Sequence, residues 1–167
     1  MTTPIDFNHA EQCLDMLDGQ DQLLFALMLY TGRRFSDVSN LRWEDIFEDK
    51  IVVKEQKTGK TAIITVNHKL RKILQSHSGN GYILHPKRKP GQRLTIQGAN
   101  HRIKAIQAKL KLPEQSTHFL RKTFAKEVYR KHGITVASHL LNHDSEKTTR
   151  RYIGLTDEVI ENVYQTL

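Results

Sequence analysis

Leu23-Leu24-Phe25-Ala26-Leu27-Met28-Leu29-Tyr30 is apolar on every side of a helical wheel. A helix with no polar face is stable only when other elements enclose it, so the chain must wrap around this segment. Gly32 is well placed to stop the helix, because glycine tolerates the left-handed angles that end helices. The following Arg33 and Arg34 then leave the core on a turn anchored from below. At 167 residues the chain is long enough for one compact domain with a sizeable core and too short for two comfortable ones, so residues 1–167 are expected to form a single domain.

The rest of the pattern is mostly helical. A first helix is expected from Asn8, as its cap, to Leu17, closed by Asp18-Gly19. After the central helix, Ser36 can cap another that carries Asp37 near its positive end and leads through Leu41 and Trp43 to Ile46. The β-branched runs Ile51-Val52-Val53 and Ala62-Ile63-Ile64-Thr65-Val66 predict a hairpin, with the turn glycine in Lys57-Thr58-Gly59-Lys60. Asn67 can cap a helix to Gln75, and Tyr82-Ile83-Leu84 reads as a short strand. A stiff basic loop runs from Pro86 to Arg93. Helices are then expected at 96–110, 117–131, 135–141, 146–152 and 157–164, punctuated by Pro113, Gly133 and Gly154. No internal repeat or low-complexity tract divides the chain. The fold class is mainly α with a small antiparallel β-sheet, an α+β arrangement.

The formal net charge of +8 and pI near 9.6 favour an anionic partner, nucleic acid being the commonest for a soluble basic domain. No stretch approaches the roughly 18 apolar residues of a membrane span, and the first residues lack the basic and apolar regions of a signal peptide; a cytoplasmic, nucleoid-associated location is expected. Cys13 is the lone cysteine and reads as a small core residue. His139 and His143 are four apart, but Leu140-Leu141-Asn142 between them lacks the glutamate of a zinc-protease helix and a third ligand is not evident. Lys57-Thr58-Gly59-Lys60-Thr61 lacks the leading glycine of a phosphate-binding loop. No metal or other cofactor is expected.

Single residues carry little: Tyr152 alone reads as a half-buried aromatic, and His118 alone as a helix-start histidine. The joint order is another matter. Arg34 stands in Thr31-Gly32-Arg33-Arg34, Lys57 in the hairpin, His118 and Arg121 in His118-Phe119-Leu120-Arg121, His143 in Leu141-Asn142-His143, and Tyr152 nine residues later. This constellation resembles the catalytic domain of the tyrosine recombinases, the family of phage integrases, and the likeness runs from about Leu23 to Gly154. Asn142 stands where the family has glycine, a tolerable exchange because asparagine also adopts left-handed angles. Lys60 competes with Lys57 for the hairpin role.

The resemblance implies that Tyr152 attacks a phosphate of double-stranded DNA, that Arg34 and Arg121 grip its non-bridging oxygens, and that Lys57 protonates the departing 5′ oxygen. His118 would accept the tyrosine proton and His143 would donate to the phosphate. It also implies a 3′-phosphotyrosine intermediate needing neither ATP nor metal, and tetramers on DNA built through the carboxy-terminal helix 157–164, with packing of that helix on its own domain as the alternative. The family's amino-terminal core-binding domain is not expected within residues 1–167, so the sequence reads either as an excised catalytic fragment or as one of the short single-domain relatives. A type IB topoisomerase, a non-catalytic DNA-binding regulator and a metal-dependent nuclease are the rival readings.

Overall fold

The apolar run forms the middle of helix α2 (Gly19–Thr31), in which every residue from Leu23 to Thr31 is buried. In the computed structural model, which describes residues 2–166, α2 is enclosed by α1 (Phe7–Asp15), α4 (His68–Ser76), α5 (Ile96–Lys109) and α6 (His118–Leu141). Each leucine-sized side chain buried this way contributes about 1.5–3 kcal/mol. The central helix therefore has the same origin in structure as in sequence. Cys13 lies in this core.

Three local expectations are corrected. Helix α1 is capped by Asp6, whose carboxylate accepts from His9 N at 3.0 Å; Asn8 lies inside the helix, because the aspartate two residues earlier already caps a free first-turn amide. The helix after the Arg34 turn is only α3 (Phe35–Val38), with Arg34 rather than Ser36 at its cap position. It stops because the Asn40 amide, at 2.6 Å, and the Ser39 hydroxyl, at 3.2 Å, donate to Ser36 O, the carbonyl that a second turn would use. The chain instead makes a 3₁₀ turn at Trp43–Asp45, with the Asp45 carboxylate accepting from Arg42 N. Finally, Tyr82 makes only an isolated bridge to Arg42, since Gln20 takes Ile83 O and no strand extends. Ile83 and Leu84 serve as core.

The sheet has three antiparallel strands in the order β1 (Ile46–Phe47), β2 (Lys50–Lys54), β3 (Thr61–Thr65). Strand β1 is too short to leave a periodic trace in the sequence. The β2–β3 register pairs Ile51 with Ile64 and Val53 with Ala62, and Ile51 and Val53 turn inward, fixing which way the 55–60 loop projects. Helix α6 breaks at Gly133 (φ 82, ψ 179), so its two segments match the two expected helices. It ends at Asn142, which is left-handed (φ 52, ψ 46). Helix α7 (Glu146–Ile153) is capped by Ser145 and closed by left-handed Gly154, and α8 (Asp157–Thr166) follows. The fold is mainly helical with one small antiparallel sheet, as the residue pattern implied.

Candidate active site

Gly32 (φ 61) ends α2, and a Cβ there would lie 2.1 Å from Phe124 Cδ1 on α6. Only glycine lets α6 approach the turn this closely. Arg121, in the first turn of α6 and 2% exposed, then ties the turn down: Nη1 donates to Gly32 O and Nη2 to Leu141 O at 3.0 Å. One guanidinium thereby joins the loop that carries Arg34 to the corner that carries His143. Two of its five N–H donors are used, and its central carbon sits 5.9 Å from the Tyr152 ring centroid.

At that corner the His143 ring meets Tyr152 edge-on, 5.4 Å between centroids and 83° between planes. Thr149, fully buried, lies 2.8 Å from His143 Nδ1 and accepts from the Ser138 hydroxyl at 2.7 Å. With Ser138 donating, Thr149 keeps its own proton free to point at Nδ1, an arrangement compatible with the imidazole proton on Nε2. The Tyr152 hydroxyl is buried and meets no hydrogen-bond partner in acceptable geometry among the described residues, though Arg121 is close enough to act on its charge. Lys122 Nζ lies 5.5 Å from the ring centroid.

Arg33 and Arg34 have opposite fates. Arg33 is buried and paired with Glu55, whereas Arg34 is half-buried and its charge reaches His118, Arg121, His143 and Tyr152. His118 is exposed beside the same cations. Lys57 and Lys60 are both on the exposed hairpin loop; the charge of Lys57 acts on His143. Arg34, His118, Arg121, His143 and Tyr152 thus lie close together, and the exposed Lys57 acts from the hairpin on His143 by its charge. Asp37 is buried and accepts from Gln56 N at 2.9 Å, an anchor between the turn and the hairpin.

The electrostatics follow from burial beside cations. Desolvation, then Arg121 and Arg34, lower the His143 pKa to about 4. His118 is lowered by partial desolvation and then by Arg121, Arg34 and Lys122. Burial raises Tyr152 above 10, an effect that Arg121 and Arg34 partly offset. Both histidines are therefore neutral near pH 7 and the phenol keeps its proton. Below pH 6.5 the unfolded chain takes up a proton at His143 that the folded chain refuses until about pH 4, so stability falls as pH drops through that window. Melting temperatures measured from pH 7 to 4.5 should decline less steeply for His143→Gln than for the wild type; equal slopes would remove His143 as a source.

Residues 5–158 match the family model described as the phage integrase family. The chain belongs to the phage integrase family. It is 29% identical over 154 residues to the probable integrase/recombinase YoeC of Bacillus subtilis strain 168, covering 87% of this chain and 83% of YoeC. Among solved structures, XerA recombinase superposes with a TM-score of 0.79 at 24% identity, over 99% of this chain and 65% of that one. A lambda integrase tetramer bound to a Holliday junction gives 0.67 at 20% identity, over 90% and 48%. The fold is that of a tyrosine recombinase catalytic domain, and the chain spans about half to two thirds of those two proteins' length.

Sequence reading of this integrase-family chain missed Glu55, Lys122, Ser138 and Thr149. Lys122 adjoins Arg121 and could have been found by position; the other three are ordinary polar residues whose roles appear only through contacts. His139 is exposed on α6, and among the described residues no group of three or more His, Cys, Asp or Glu is placed to hold a metal ion. No helix among the described residues is long and apolar enough to cross a membrane.

Proposed function

We propose that this domain breaks and rejoins double-stranded DNA as a site-specific recombinase, with Tyr152 as the nucleophile. The carrying observation is the gathering of Arg34, His118, Arg121 and His143, from three separate segments of the chain, around one buried tyrosine hydroxyl. In the proposed step the Tyr152 oxygen forms a bond to a backbone phosphorus as the bond to the 5′ oxygen breaks, leaving a 3′-phosphotyrosine and a free 5′ hydroxyl. One phosphodiester replaces another, so the reverse attack by a 5′ hydroxyl can rejoin the strand without ATP.

Each role follows from residue chemistry. Arg34 and the free donors of Arg121 grip the non-bridging oxygens through planar forks. Neutral His143, protonated on Nε2, donates to the same phosphate, and neutral His118 accepts the Tyr152 proton. Lys57 delivers a proton to the 5′ oxygen. A phenol held protonated by burial becomes a nucleophile only when DNA docking brings a phosphate within its reach and a base takes its proton.

The direct assay is incubation with nicked duplexes from genomic DNA, followed by denaturing electrophoresis. A protein–DNA adduct that survives denaturation, and forms equally in chelator, is the expected result; no adduct on any fragment would sink the proposal. Binding should weaken steeply between low and physiological salt, because each neutralised phosphate releases counterions. Supercoil relaxation without strand exchange between paired sites would favour topoisomerase activity instead.

Assembly on DNA is proposed to use α8. Its Val159, Ile160 and Val163 are exposed despite being apolar, and a stripe of that kind favours burial against a second protomer. The lambda integrase neighbour is a tetramer bound to a Holliday junction, which supports assembly of several protomers on DNA. Val159→Asp with Val163→Asp should leave single-protomer DNA complexes intact and remove the slower-migrating ones; unchanged higher complexes would place the interface elsewhere.

A further inference from the structure

Glu55 is 2% exposed, and its carboxylate accepts from three donors on three different loops: the Arg33 guanidinium, the Thr58 hydroxyl at 2.9 Å and the Asn142 amide at 2.6 Å. Each donor is the chain neighbour of a residue of the site. Arg33 precedes Arg34, Thr58 follows Lys57, and Asn142 precedes His143. A carboxylate can only accept, so the Asn142 amide nitrogen must face it. Backbone bonds from Glu55 N to Lys60 O and from Gly59 N to Glu55 O, both 2.8 Å, close the same loop at its base.

The alternatives for Asn142 are limited. Its left-handed angles could be served by glycine, which stands there in the family pattern, so conformation alone does not call for an amide. What the amide adds is a hydrogen bond across 87 residues of chain. The hairpin loop is otherwise exposed from Gln56 to Lys60, and a long lysine on such a loop would sample many positions. Among the described contacts, Glu55 is the group that links this loop to both the Arg34 turn and the His143 corner.

We infer that Glu55 is a positioning residue, and that its hydrogen bond from Asn142 latches the Lys57 hairpin over the site so that Lys57 can reach the leaving oxygen. This rests on the DNA-cleavage reading of the site. The latch makes the proton donor a fixed part of the site instead of a mobile arm. Opening it should slow leaving-group protonation while sparing the Arg34–Arg121 grip and DNA affinity.

Asn142→Gly removes the donor and keeps the backbone corner. Hydrogen exchange of the free protein should then speed up by about tenfold or more at the Gly59 and Lys60 amides, the scale of one hydrogen bond to a charged group. Adduct formation on a nicked duplex captured by the wild type should slow by a similar factor. On the same duplex with a bridging 5′ sulfur, the slowdown should vanish: a thiol ionises near about pH 8.5, so its thiolate departs without a donated proton. Lys57→Ala should show the same rescue and Arg34→Ala should not.

Unchanged exchange in Asn142→Gly, or an equal slowdown with oxygen and sulfur leaving groups, overturns the latch. Faster exchange in a protein whose wild type forms no adduct would keep the latch and overturn the DNA-cleavage reading.

Discussion

Tyr152→Phe should form no covalent adduct on nicked DNA at any time point, while its affinity for the same duplex stays close to that of the wild type. The structure makes this variant unusually clean. The Tyr152 hydroxyl is buried with no well-placed hydrogen-bond partner, so deleting it removes an unsatisfied polar atom and leaves none behind. The ring contacts with His143, Arg121 and Lys122 involve the aromatic face and edge, which phenylalanine keeps. The melting temperature should hold steady or rise slightly. An adduct that persists in Tyr152→Phe would assign the nucleophile to another residue.

Arg34→Ala and Arg121→Ala should each slow adduct formation at least about a hundredfold, the loss typical of one donor removed from an anion-stabilising site. They should differ in stability. Arg34 stands half-buried on the turn, and its side chain makes no hydrogen bond to protein among the described contacts, so its removal should leave melting unchanged. Arg121 satisfies the carbonyls of Gly32 and Leu141; stranding two buried acceptors costs about 2 kcal/mol or more, so this variant should melt earlier as well as react slowly. A wild-type rate in Arg34→Ala would defeat the cradle argument, and unchanged stability in Arg121→Ala would deny it the bracing role.

The elements that the sequence revealed well were those with strong local causes. Leu23 to Tyr30 had to be an enclosed helix, Gly133 and Gly154 had to interrupt helices, and the β-branched runs had to pair. The failures came where a side chain competed with the backbone. Ser39 and Asn40 took the carbonyl of Ser36 and ended α3 after one turn, and Gln20 took the carbonyl of Ile83 from 63 residues away. Nothing in a propensity scale reports such captures.

For the site, the resemblance to the tyrosine recombinases pointed to Arg34, Lys57, His118, Arg121, His143 and Tyr152, and the fold brings five of these close together while the charge of Lys57 acts on His143. Choosing Arg34 over Arg33 also came from the turn pattern, and the ion pair of Arg33 with Glu55 shows where the other arginine goes. Distance through space decided everything else. The proton position on His143 depends on Ser138 and Thr149 across two helices, its pKa depends on how deeply it sits beside Arg121 and Arg34, and the joining of three loops depends on a glutamate that looks like any other charged residue in the chain. Hydrogen bonds and Coulomb forces act over a few ångströms of folded space, so contacts between residues 6 to 89 positions apart leave no local mark for a sequence to carry.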